Sequence, residues 1–143
     1  MKNCLTVILL FCLTALFAAG CSNNAKAGAV DMDLTTFSKT MMTAAIDNIY
    51  ATPDEYLNKT IKMSGQYYSA YYSDVDRRFH YVLYIDDESC CSYGFMFERD
   101  GVYPDDYPEE GEGIEVSGTF ESGEALDLIY HYLAVNEIIV LNN

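Results

Sequence analysis

The hydrophobic positions of this chain fall into three regimes in turn: an unbroken apolar run, a stretch at helical spacing, and a series of segments alternating with period two. The run covers residues 4–17, follows Lys2, and ends at Ala18, Ala19 and Gly20 just before Cys21. At about 15 residues it falls short of the roughly 20 that a membrane-spanning helix needs, and no cluster of positive charge follows it. The pattern predicts an export signal over residues 1–20. Residues 21–31 are mostly small or polar and without period, as expected of a tether. Leu34, Phe37, Met41, Ala44, Ala45 and Ile46 then recur at steps of three and four, predicting a helix from Asp33 to Tyr50. Asp33 or Thr35 is its expected N-cap, and Pro53 closes it off.

From Thr60 the period changes to two. Ile61, Met63, Gly65 and Tyr67 alternate with polar neighbours and predict a first strand that extends toward Tyr72. A second strand is expected over residues 79–85, a turn over 86–89, and a third strand over 91–98, forming a hairpin. A loop rich in Pro, Gly and acid spans 99–113. Ile114, Val116, Gly118 and Phe120 then mark a fourth strand. Residues 130–141 supply a fifth, with Glu137, Ile138, Ile139, Val140 and Leu141 as its most buried-looking part.

One helix followed by five strands, with a glycine inside the first and the fourth, predicts an all-β domain over residues 32–143: a small five-stranded OB-fold-like barrel whose glycines sit where strands must bend. The succession from Tyr56 through Gly65, the central segment from Tyr81 to Asp86, and the segment from Gly111 to Thr119 resembles the exported OB-fold proteins of the tRNA-anticodon-domain-like group. That resemblance implies a barrel and, by ancestry of fold, nucleic-acid binding. Function does not follow fold, however, and the charge speaks against it.

The segment Phe17-Ala18-Ala19-Gly20-Cys21 resembles a lipobox, which implies a diacylglycerol on the sulfur of Cys21 and cleavage before it; Ala18 stands where Leu is usual. The expected product is a lipoprotein held on the extracytoplasmic side of the cell membrane or outer membrane through Cys21. The remaining residues suffice for one core and one domain. With 22 acidic against 8 basic residues, a net charge of −14, the chain lacks the basic stripe that phosphate-backbone binding requires, so no nucleic acid is expected as a partner.

Candidate chemistry centres on the adjacent pair Cys90 and Cys91. A disulfide between neighbours is strained, since their Cα atoms lie about 3.8 Å apart whereas ordinary bridges span roughly 4.4–6.8 Å. A zinc site needs further ligands, and only His80 and His131 are on offer. A turn at 86–89 would put residue 85 opposite 90 and His80 opposite Phe95, about 16 Å along the strands from the cysteines. Three readings stay open: a labile disulfide, a metal-binding or thiol-redox device, or two free thiols packed as small side chains. No metal and no cofactor are expected.

Thirteen tyrosines without a tryptophan invite a binding-face reading. Tyr67, Tyr68, Tyr71, Tyr72, Tyr81, Tyr84 and Tyr93 lie on the first three strands, where OB-folds present their ligand surface, and of these Tyr67, Tyr71, Tyr81, Tyr84 and Tyr93 form the candidate ligand face for an envelope protein, a peptide or a glycan. Neighbours such as Tyr67 and Tyr68 must point to opposite faces, so only part of the set can share one surface. The acidic clusters lack the spacing of a calcium loop, and no nucleophile elbow, phosphate loop or zinc-protease motif occurs. The expectation is a non-enzymatic binding module.

Overall fold

The computed structural model describes residues 29–85 and 91–142. The signal segment, Cys21, most of the tether and Cys90 lie outside the described residues. Six strands are described: β1 (Met32–Asp33), β2 (Thr60–Tyr72), β3 (Arg77–Ile85), β4 (Ser92–Glu98), β5 (Gly113–Ala125) and β6 (Leu128–Val140). They form one sheet in the order β1-β2-β3-β4-β6-β5, and β5 returns to pair with β2. Five strands thus close into an OB-fold-like barrel, with β1 as an added parallel strand at the start of β2.

Closure depends on β2 serving two partners. Its first half pairs with β5, from Thr60 opposite Thr119 to Gln66 opposite Gly113. Its second half pairs with β3, from Gln66 opposite Leu83 to Tyr72 opposite Arg77. The handover falls beside Gly65, where a Cβ would sit 2.6 Å from the Leu83 carbonyl oxygen, so only glycine admits the approach of β3. At Gly118 the β5–β6 register shifts, and a Cβ there would lie 2.7 Å from the Ala134 oxygen. Both bends coincide with the strand glycines that the sequence marks. The barrel shuts with a short parallel contact, Phe97 opposite Leu133 and Glu98 opposite Ala134.

The alternation of β2 sends Ile61, Met63 and Tyr67 inward, to meet Val82, Phe95, Phe97, Phe120 and Leu133. Each such side chain contributes about 1.5–3 kcal/mol on burial. One α-helix, α1 (Lys39–Ala51), packs on this core through Met42, Ile46 and Ile49, which share one face at steps of four and three. Tyr50 stacks on Phe95 at 5.7 Å and donates its hydroxyl to the Gly94 oxygen.

The helix starts later than its periodicity suggests. Asp33 caps a short 3-10 turn (Leu34–Thr36), accepting from the Thr35 amide, whereas Ser38 is the N-cap of α1 and accepts from the Met41 amide. Leu34 is buried from that turn, so the helical spacing in the sequence joined two elements. The β3–β4 hairpin pairs Ile85 with Ser92 and His80 with Phe97, two residues beyond the register expected from a four-residue turn. The last strand also differs from expectation. It begins at Leu128, and its buried positions are Leu133 and Val135; of the segment expected to be most buried, Ile138 packs partly buried against the core while Ile139, Val140 and Leu141 are exposed.

Candidate ligand-binding face

The register divides the tyrosines between two surfaces. Tyr67 is fully buried and opposite Val82, so it belongs to the core rather than to a ligand face. Tyr84 and Tyr93 pair with each other on that same inner side and pack against the core. Among the described residues, the Tyr84 hydroxyl is the buried side-chain polar atom left without a hydrogen-bond partner. Tyr71 follows Tyr67 on the inner side but lies near the strand end, more than half exposed, and donates to Asp76. Of the five expected tyrosines, only Tyr81 stands on the outer surface, in a cross-strand row with Tyr68 and Met96. The physical reason is parity: Ile61 and Met63 fix the odd positions of β2 inward, so Tyr67 and Tyr71 follow them.

The outer surface carries an aromatic cluster of its own. Tyr72 and Tyr130 each meet the buried ring of Phe79 edge-on, at 5.5 and 5.8 Å, and Tyr130 lies 5.7 Å from Tyr132. Arg77 sits over the rings of Phe79 and Tyr130 and forms an ion pair with Glu98 at 2.8 Å. The Tyr130 hydroxyl accepts from Arg77 and donates to Glu98, which fixes the ring's orientation. Burial, with the Glu98 carboxylate beside it, pushes the Tyr130 phenol above its ordinary range, and Tyr132 beside Glu121 is raised to about 12. Both rings therefore remain neutral donors at any physiological pH. The hairpin beyond them ends in the exposed Leu126, Leu128 and Ile129. This face lies between the β2–β3 and β5–β6 turns, the position where OB-folds hold oligonucleotides and oligosaccharides.

A second feature adjoins it where β3 and β4 separate. β4 pairs with β3 only from His80 onward and then passes to β6 at Glu98, so Arg77, Arg78 and Phe79 face a gap. A pocket of about 120 Å³ occupies that gap, lined by Arg77, Arg78, His80, Phe97, Arg99 and Tyr107 among others. Tyr107 stacks on His80 at 4.0 Å, and the Tyr67 hydroxyl lies 2.7 Å from His80 Nδ1. Burial, with Arg78 and Arg77 nearby, lowers the His80 pKa to about 4 against a weaker opposing pull from Glu110.

No protein-family model matches the chain, and no curated protein and no solved structure matches it either. The reading of the site therefore rests on its chemistry alone.

Cys91 is exposed and unbridged, and Cys90 lies outside the described residues. His80 pairs with Phe97, well along β4 from Cys91, and His131 stacks flat on Phe120 at 5.5 Å. Among the described residues, no group of three or more His, Cys, Asp or Glu is placed to hold a metal ion, and no helix is long and apolar enough to cross a membrane. Sequence reasoning left Tyr72 out of the face and missed Phe79, Arg77, Tyr130 and Tyr132. The first three were within reach of the strand parity, whereas the β6 pair reaches this face only through the parallel closure of the barrel.

Proposed function

We propose that this chain is a non-enzymatic binding module of the cell envelope, tethered by lipid on Cys21, whose outer aromatic face takes a glycan chain. The observation that carries this reading is the cluster of Tyr72, Tyr130 and Tyr132 with Arg77 over the buried ring of Phe79, on the surface between the two turns. Aromatic rings offer apolar faces to sugar C–H groups, and oriented phenols supply hydrogen bonds to sugar hydroxyls. Of the two polymers that OB-fold faces take, the net charge of −14 disfavours the polyphosphate and leaves the saccharide. The tRNA-anticodon-domain-like resemblance is thus one of barrel architecture, without its nucleic-acid ligand.

The test is a titration with xylotetraose, a neutral oligosaccharide, followed through the tyrosine ring signals by NMR. Saturable shifts at Tyr72, Tyr130 and Tyr132, abolished in the double variant Y72A/Y132A with its fold retained, are expected. Shifts absent at these rings, or unchanged in the variant, would rule out the face as a glycan site. Single-stranded DNA at low salt supplies the contrasting probe, and no binding is expected.

A further inference from the structure

The whole chain contains three arginines, Arg77, Arg78 and Arg99, and all three line the one gap between β3 and β4. In a chain with 22 carboxylates, arginines would ordinarily be spent on carboxylate partners. Arg77 is, through Glu98. Arg99 binds backbone instead, donating to the Asp100 and Asp106 oxygens and thereby holding the 99–106 loop beside the pocket. Arg78 has no carboxylate within ion-pair distance among the described residues. Its guanidinium donates to the Ser69 hydroxyl at 2.9 Å and lies 4.3 Å over the Tyr103 ring, contacts that orient the fork without neutralising it.

We propose that this gap is a carboxylate-binding site, with Arg78 as its principal contact, and that it receives an acidic sugar residue of a glycan lying on the adjacent outer face. The inference rests on the glycan reading for its ligand class, while its geometry is independent of it. The planar guanidinium, held by Ser69 and Tyr103, matches a planar carboxylate through two parallel hydrogen bonds. A single negative charge fits better than a phosphate dianion. Glu98 lines the same pocket, and Glu110 stands close by, bonded to both the amide and the hydroxyl of Ser69. Continuity between the surfaces comes from Arg77, which lines the gap and also covers the Phe79 and Tyr130 rings. A volume of about 120 Å³ accommodates the carboxylate end of a sugar and leaves the ring outside, toward the aromatic face.

His80 supplies an internal reporter. Burial is the main cause of its lowered pKa; the charges of Arg78 and Arg77 add to it, Glu110 opposes it, and the rings of Tyr67, Tyr103, Tyr107 and Phe97 also face it. A bound carboxylate offsets the arginine charge, so the His80 pKa must rise on binding.

The experiment compares xylotetraose with an oligomer of the same size carrying one methylglucuronate, at constant ionic strength. The expected result is at least tenfold tighter binding of the acidic probe, with saturable shifts of the Arg78 side-chain signal and an upward move in the His80 titration. Arg78→Gln should remove the preference and keep the affinity for the neutral probe. Arg78→Lys, which retains the charge and loses the fork, should recover part of the preference and guards against misfolding as the cause. Equal affinity for the two probes, or a preference that survives Arg78→Gln, would overturn the carboxylate site and leave the aromatic face standing. Failure of the neutral probe with a retained acidic response at Arg78 would remove the aromatic platform and keep the site. Failure of both probes would remove both.

Discussion

The Tyr67 hydroxyl lies 2.7 Å from Nδ1 of His80, inside the barrel and beneath the stacked ring of Tyr107. Burial raises the Tyr67 phenol to about 12 and, together with the neighbouring arginines, lowers His80 to about 4, so at neutral pH both groups are uncharged and share one hydrogen bond. An imidazole held neutral in the fold binds fewer protons than in the unfolded chain between the unfolded value of 6.5 and the folded value of about 4. Stability is then complete above 6.5 and falls as the pH drops toward 4. Urea midpoints across this window should decline in the native protein and decline less in His80→Asn. Tyr67→Phe leaves Nδ1 without its hydrogen-bond partner and should cost about 1–3 kcal/mol at neutral pH.

The helix is part of the core rather than an outlying spacer. Ile49 is fully buried, in one cluster with Ile61, Phe95 and Phe120. Ile49→Ala should therefore destabilise the domain by about 2–5 kcal/mol in chemical denaturation. A change near zero would show that α1 docks without contributing.

At Gly118 a methyl group would meet the Ala134 oxygen and Val135 Cγ2, both at 2.7 Å. Gly118→Ala should cost about 1–3 kcal/mol and disturb the β5–β6 amide signals around the register shift. Wild-type stability in this variant would mean that β6 yields at no cost.

The β5–β6 hairpin turns through Leu126 and Asp127, with φ of 51° and 62°. Both lie in the left-handed region, which side chains other than those of Gly and Asn adopt at a cost, and a two-residue hairpin turn of this kind prefers Asn-Gly. The variant L126N/D127G should raise the thermal midpoint, corresponding to about 1–2 kcal/mol. A lowered midpoint would imply that the exposed Leu126 packs on something that the φ values do not reveal.

The proposed glycan face is built from described residues that include no cysteine, so C90S/C91S should bind xylotetraose as the native chain does. A marked loss of affinity in the serine variant would transfer the function to the thiols.

The barrel was legible because Ile61, Met63, Ile114 and Val116 alternate cleanly and because Gly65 and Gly118 mark its bends. The ligand face was only half legible. Tyr81 alone of the expected set stands on the outer surface, beside Tyr68 and Met96, while Tyr67, Tyr84 and Tyr93 turn inward, since tyrosine is apolar enough to fill a core, whether its hydroxyl finds a partner, as Tyr67 does in His80, or none, as in Tyr84. Strand parity alone could have moved the expectation to Tyr68 and Tyr72. The arrival of Tyr130 and Tyr132 could not be read locally, because it depends on the contact between Phe97 and Leu133, two positions far apart in sequence. The concentration of every arginine in one gap was likewise hidden, since Arg99 enters it only through the fold of the loop after β4.

The short strand β1 has an orienting consequence. It fastens the incoming chain to the first residues of β2, with Met32 opposite Ile61 and the Asp31 amide bonded to the Thr60 oxygen. Tyr72 and the aromatic face stand at the other end of that strand, roughly 40 Å along its path at about 3.3 Å per residue. The tether therefore joins the domain at one end of β2, and the proposed glycan face lies toward the other.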